Sequence, residues 1–120
     1  MGSTLTVNEI PADGGLKTAA PVLQVAGRLD TNTISVLEKA LMRAMATGAK
    51  SVVLDMSQVG YVSSSGLRVL LAARREARER KGNVVLCALT PQVRDVFDMV
   101  GFTSLFDIRE SLEQGKRAVA

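Results

Sequence analysis

Three consecutive serines followed by a glycine are the residues of this sequence whose types and spacing could do chemistry. Ser63, Ser64 and Ser65 precede Gly66 in the stretch "YVSSSGLRVLL", between an apolar run and a helix-like segment. The first backbone N–H groups of a helix have no acceptor within the helix, so a serine oxygen can cap them. Capping explains one serine, or two, and leaves a further hydroxyl facing solvent or a partner.

The same helix start suits a phosphorylation switch. A helix N-terminus favours negative charge through its dipole and its free N–H groups, so the folded domain would tolerate a phosphate there. The phosphate would add about −1.5 to −2 charge to the surface, enough to break a complex that docks at this place. The spacing of the serines and the glycine does not decide between such a switch and simple capping of the helix.

Most catalytic chemistry is excluded by the residues that the sequence lacks. It has no histidine, so a Ser-His-Asp triad cannot form, and the single Cys87 cannot build a thiolate cage for a metal. Neither G-x-x-x-x-G-K-[ST] nor G-x-G-x-x-G occurs. Asp13, Asp30 and Asp55 are isolated acids. The composition does not exclude a serine–lysine hydrolase, although no lysine lies near the serines in the sequence. We expect a binding module rather than an enzyme, with no metal and no cofactor.

Composition indicates one domain that folds inside the cell. The chain has 120 residues, 47% of them hydrophobic, which suffices for a single domain over residues 1–120. Its net charge of +3 does not by itself indicate binding to nucleic acid. A single cysteine excludes an internal disulfide, no apolar run approaches the roughly 20 residues of a membrane span, and "MGSTLTVNEI" does not resemble a signal peptide. We therefore expect a cytoplasmic protein without direct membrane contact.

The elements that position the serines alternate along the chain. Periodicity and turn residues predict the order β-β-α-β-α-β-α-β-α, an α/β fold with a mostly parallel sheet of four to five strands and about four helices. The first two strands form an antiparallel hairpin around the turn-rich segment Pro11–Pro21. The predicted strands are Leu5–Ile10, Val22–Gly27, Val52–Met56, Val84–Leu89 and Ser104–Ile108. The predicted helices run from Ile34 to Gly48, from Ser64 to Lys81, from Pro91 to Gly101 and from Glu110 to Ala120.

Two loops are expected to share one rim of this sheet. In open parallel sheets, functional loops lie beyond the carboxyl ends of the strands. The segments "GRLDTNT" and "QVGYVSSSG" both follow predicted strands. The sequence therefore predicts that the serines and the loop around Asp30 lie side by side.

Three motifs occur in the chain: "VVLDMSQVGYVSSSGLRVLL", "VAGRLDTNT" with Gly27, Leu29 and Asp30, and "VVLCALTPQVRDVFDMVGFTSLFDI". In their types and order they resemble one known family, the STAS-domain anti-sigma-factor antagonists of bacteria. The resemblance covers about Leu5 to Leu112 and implies the STAS fold.

The resemblance also implies a partner switch. The unmodified antagonist would bind an anti-sigma factor that is a serine kinase and so free a sigma factor. Phosphorylation would end the binding and a PP2C-type phosphatase would restore it. The serine two residues before the glycine is Ser64. The family usually has an aspartate just before it, where this chain has Ser63, so Ser63 and Ser65 remain alternative acceptors.

The resemblance implies a partner-binding rim around the switch. We expect Asp30 there, together with an apolar patch beside the serines: Tyr61, Val62, Ser63, Ser64, Ser65, Gly66 and Leu67. Other roles of STAS domains remain open, namely a scaffold subunit of a signalling assembly, an accessory subunit of a membrane lipid transporter, and weak nucleotide binding at the rim. The sequence does not separate a monomer from a weak dimer.

The basic segment "RREARERK", Arg74 to Lys81, is interpreted as a solvated helix rather than a nucleic-acid surface. Arg75 with Glu79 and Glu76 with Arg80 are spaced four apart, as in helical ion pairs. No aromatic residue is interleaved for base stacking. Met42, Met45, Met56 and Met99 are expected in the core, and so is Cys87.

Overall fold

The computed structural model describes residues 4–10 and 20–119, which form one five-stranded mixed sheet with helices on both faces. The strand order in the sheet is the chain order, with an antiparallel first pair and parallel neighbours thereafter. The predicted α/β fold and element order are confirmed. The strands are β1 Leu5–Ile10, β2 Val22–Leu29, β3 Val52–Val62, β4 Val84–Cys87 and β5 Asp107–Arg109. The helices are α1 Ile34–Ala46, α2 Ser64–Glu79, α3 Pro91–Val100 and α4 Leu112–Ala118.

Alternation along the strands produces two apolar layers. The larger one lies between one face of the sheet and helices α1, α2 and α3, with Leu54 of β3 and Phe97 of α3 fully buried in it. The smaller one contains Val53 and Cys87 and is covered by α4 through Leu112. Strand β3 supplies both layers, because successive residues of a strand point to opposite faces. Strand β3 is therefore packed on both faces, and its carboxyl end supports the loop that follows.

Strand β3 is longer than predicted. We expected it to end at Met56 and the following residues to form a loop, but it continues to Val62. Its extension pairs with the end of β2, which itself continues two residues beyond its predicted end to Leu29, and the pairing contains two irregularities in register. Such bulges break the two-residue alternation that identifies a strand in a sequence. Gly27 makes one of these irregularities feasible, since its φ is 120° and a Cβ would lie 2.3 Å from the carbonyl oxygen of Thr4.

The other boundaries differ from the predictions by a few residues. Strand β4 ends at Cys87 because Ala88 adopts a φ of 57°, which no strand residue has. Residues Phe102–Ser104 form a 3₁₀ turn, so β5 begins only at Asp107. Helix α4 is confined to Leu112–Ala118. The turn-rich connection was predicted over Pro11–Pro21; its residues 11–19 lie outside the described residues, and Ala20 and Pro21 precede β2 as expected.

Two of the four methionines assigned to the core are on the surface. Met45 and Met56 are buried as expected, whereas Met42 is 70% and Met99 82% exposed. Both exposed residues lie on the outer face of a helix, where a flexible side chain is tolerated. None of the helices in the described part of the chain is long and apolar enough to cross a membrane.

Candidate functional site

The carboxyl ends of β2 and β3 bring the two predicted loops together. Leu29 and Val62 are register partners at the end of this strand pair. One residue further, the backbone N–H of Ser63 donates to the carbonyl oxygen of Leu29 at 2.8 Å. The hydroxyls of Thr31 and Ser65 then meet at 3.1 Å across the gap. The serines and the loop around Asp30 therefore form one rim, which we call the serine rim: residues 28–33 and 61–67.

The three serines have three different environments. Ser63 is the N-cap of α2, and its hydroxyl oxygen accepts from the N–H of Gly66 at 3.2 Å. Ser65 is partly buried and bonded to Thr31. Ser64, the first residue of α2, is exposed, and its hydroxyl has no hydrogen-bond partner among residues 4–10 and 20–119. Capping thus uses Ser63, the contact between loops uses Ser65, and the Ser64 hydroxyl faces solvent at the helix start.

Gly66 sets how closely α2 approaches the sheet. It is buried, and a Cβ in its place would lie 2.8 Å from Cγ and 3.1 Å from the carbonyl oxygen of Leu29. Only a residue without a side chain lets the first turn of α2 rest on the end of β2. The glycine that follows the serines is therefore required for the geometry that presents Ser64.

The loop between β2 and α1 is fixed by its own polar groups. Thr33 is buried, and its hydroxyl donates to the carbonyl oxygen of Arg28 at 2.7 Å while accepting from the N–H of Asp30 at 2.9 Å. The Asp30 carboxylate accepts from the N–H of Asn32 at 3.0 Å and lies 3.8 Å from the guanidinium of Arg28. Asp30 lies on the rim, as expected, and these bonds show that it also shapes its own loop.

Arg28 and Tyr61 form a pair that the sequence did not reveal. They are neighbours across β2 and β3, and the Arg28 guanidinium lies 4.1 Å from the centre of the Tyr61 ring. Such a cation–π contact is worth about 0.5–1 kcal/mol at an exposed place. The irregular register between the strands hides this pairing from any count along the sequence. Tyr61 remains 41% exposed, so the pair is part of the surface.

The expected apolar patch beside the serines is smaller than predicted. Val62 and Leu67 are buried in the main core and support the serine rim from beneath. They face inward because alternation in β3 and the apolar face of α2 both point at the sheet. Tyr61 is the one predicted apolar rim residue that solvent reaches.

The remaining candidate groups do not add chemistry to this rim. No cluster of three or more His, Cys, Asp or Glu residues suited to a metal occurs in the part of the chain that the structure describes. Cys87 is buried under α4, and burial raises the pKa of its thiol to about 11, with the carboxylates of Asp55 and Asp107 adding to the shift. The thiol therefore stays protonated at neutral pH and is not a nucleophile.

This fold and this serine-bearing helix start define a class, a mixed α/β domain that presents a hydroxyl at the rim of its sheet. A family model described as STAS domain matches residues 12–115. BtrV of Bordetella bronchiseptica, a protein assigned as an anti-sigma factor antagonist, is 42% identical over 82 residues, which cover 68% of this chain and 71% of BtrV. The chain therefore belongs to the STAS domain family.

Solved structures agree with that assignment. An anti-sigma factor antagonist from Mycobacterium paratuberculosis superposes with a TM-score of 0.83 at 26% identity, over 97% of this chain and 94% of that one. The phosphorylated form of the Bacillus cell fate determinant SpoIIAA has a TM-score of 0.70 at 18% identity, over 96% of this chain and 100% of that one. At 18% identity, the similarity to SpoIIAA establishes a shared fold alone.

Proposed function

We propose that this chain is a cytoplasmic anti-sigma factor antagonist, not itself an enzyme, whose binding is switched by phosphorylation of Ser64. In its unmodified form it binds an anti-sigma factor that is also a serine kinase, and so frees a sigma factor. A PP2C-type phosphatase reverses the modification. The similarity to BtrV supports the antagonist role. The observation that carries the choice of residue is the exposed, unengaged hydroxyl of Ser64 between two serines that are hydrogen-bonded.

The position of Ser64 explains how the switch acts without unfolding the domain. A phosphate there lies at the start of a 16-residue helix, where the dipole and free N–H groups favour an anion. The same phosphate places about two negative charges on the serine rim, where a docked partner would have to desolvate them. The fold is kept and the complex is lost.

The proposal is tested with the kinase partner from the host of this chain, in purified form. Ser64→Asp is expected to weaken binding at least about 100-fold in isothermal titration calorimetry, since breaking a desolvated contact with a charge costs several kcal/mol. Its melting temperature should stay within a few degrees of the unsubstituted chain. The matched control is Ser57→Asp, an exposed serine of β3 outside the serine rim, which should bind normally.

Fragment mapping by mass spectrometry then identifies the acceptor. After incubation with the kinase and ATP, one phosphate is expected on Ser64, and Ser64→Ala should bind but accept none. Normal affinity of Ser64→Asp, or a phosphate on Ser63 or Ser65 in the unsubstituted chain, would contradict the assignment. A chain that neither binds the kinase nor carries phosphate in its host would instead favour the scaffold or transporter-subunit roles.

A further inference from the structure

Helix α2 carries a line of arginines that begins at the switch serine. Residues of a helix advance by about 100° each, so positions 4, 7, 11 and 14 after Ser64 lie within about 40° of it on the helix surface. At about 1.5 Å per residue the line extends some 20 Å from the serine. We call these positions the arginine stripe: Arg68, Leu71, Arg75 and Arg78. The buried face of the helix lies roughly opposite, with Gly66, Leu70 and Ala77.

The arginines of this stripe form no ion pair with any acid in the part of the chain that the structure describes. The one ion pair on α2 between described residues joins Arg80 to Glu76 at 3.2 Å, and Arg80 also donates to the carbonyl oxygen of Met45. The pair predicted between Arg75 and Glu79 is not formed. The outer face of α2 therefore carries three arginines without an ion pair to any described residue, and Glu79 is the one acid among the residues that line the groove at its far end.

A groove with apolar as well as cationic walls lies at the far end of the stripe. The N–H of Arg74 (Nε) donates to the carbonyl oxygen of Leu105 at 3.1 Å, which fastens the segment after α3 against α2. Leu105 itself remains 38% exposed at this junction. The groove has a volume of about 410 Å³ and is lined by Leu71, Arg74, Arg75, Arg78, Glu79 and Leu105.

We infer that the arginine stripe and this groove are the second half of the docking surface, and that they receive an acidic segment of the partner carrying an apolar side chain. The inference rests on the proposed function, because the stripe begins one turn after Ser64 on the same side of α2. Carboxylates of the partner match the guanidinium groups, and an apolar side chain fits between Leu71 and Leu105. Contacts of this kind at the edge of an interface mainly accelerate association.

The same surface is a poorer match for nucleic acid. The arginines would attract phosphates, but the stripe and groove contain no aromatic side chain on which a base could stack. The leucines at the groove have no role against a phosphate backbone, whereas they suit a protein side chain.

The test compares two pairs of charge-removing variants of equal net charge. Arg75→Gln with Arg78→Gln removes charge from the stripe, and Lys50→Gln with Lys116→Gln removes it from exposed positions outside α2 and the serine rim. Association with the purified kinase is followed by stopped flow at 50 mM and 500 mM NaCl. The stripe variant should associate about five- to tenfold more slowly at low salt and about equally at high salt, because salt screens exposed charges. The control pair should change the rate less than about twofold.

Leu105→Ala tests the apolar part of the groove. It should accelerate dissociation about threefold to tenfold with little change in association, since the truncation removes an apolar contact that holds the formed complex together. Circular dichroism checks that each variant keeps its fold.

Four results would overturn the inference. Equal slowing by the stripe and control pairs would show a general charge effect, and unchanged rates in the stripe variant would show that the stripe lies outside the interface. Tight binding of a 20-base-pair DNA duplex that is lost in the stripe variant, without any effect on the kinase, would assign the surface to nucleic acid. Absence of kinase binding by the unsubstituted chain would overturn the proposed function together with the stripe, whereas Ser64→Asp tests the proposed function alone.

Discussion

Adjacent residues of the same type have different roles at the start of α2 because a helix turns each residue to a different side. Ser63 precedes the helix and points back to cap it, Ser65 points towards the neighbouring loop, and Ser64 points outward. The cap was predictable from the sequence, since it depends on residues three apart. The hydrogen bond between Ser65 and Thr31 was not predictable from the sequence, because these residues are 34 positions apart and meet only through the pairing of β2 with β3.

At the same scale, Gly66→Ala should destabilise the domain. The new Cβ would press on Leu29, and overpacking of this kind costs about 1–3 kcal/mol, more than the roughly 1 kcal/mol that alanine gains over glycine in a helix. The loss is measured as the free energy of unfolding in urea. Gly60→Ala is the matched control, because nothing lies within 4 Å of its new Cβ, and its stability should change by less than about 0.5 kcal/mol. Equal stability of the two variants would show that α2 can move away from β2.

Among the elements, α4 shows how a short helix is held against the sheet. Its Gly115 is buried against Cys87 of β4, where a Cβ would come within 2.1 Å of the sulfur atom. Periodicity predicted the helix, but the closeness of its approach depends on a residue of another strand. The predicted ends of β3 and β4 were wrong for a similar reason. Pairing with β2 prolongs β3, and one residue of positive φ ends β4.

Substitutions at this contact should be strongly non-additive. Gly115→Ala is expected to lower the free energy of unfolding by about 2 kcal/mol through overpacking, and Cys87→Ala to lower it by about 1 kcal/mol through the cavity that it leaves. In the double variant the smaller side chain makes room for the new Cβ, so the two losses should partly cancel. A double-mutant cycle from urea unfolding measures the coupling, expected at about 1–2 kcal/mol. Strict additivity would mean that α4 shifts as a whole.

The whole molecule is organised around a single sheet whose carboxyl edge carries the serine rim. Strand pairing sets the distance between the two loops of the rim, and the core beneath α1, α2 and α3 keeps them in place. The rim is therefore expected to unfold together with the sheet rather than separately.

The single tyrosine of the chain allows that expectation to be measured. Tyr61 lies on the rim and there is no tryptophan, so intrinsic fluorescence reports the rim while circular dichroism at 222 nm reports the helices. The two urea transitions should coincide within error, as they do for a two-state domain. A fluorescence midpoint at clearly lower urea would show that the rim opens before the sheet. The rim would then be a mobile attachment rather than a preformed surface.

The sequence by itself determined the alternation of strands and helices, the antiparallel first pair, the capped start of α2 and the family. All of these depend on residues close together in the chain, through periodicity, turn chemistry and short motifs. Only the tertiary structure decided which serine is free, that Val62 and Leu67 are buried, and that Arg28 stacks on Tyr61. Each of these depends on the irregular pairing of β2 with β3 or on packing between distant segments, and no pattern along the chain records such contacts.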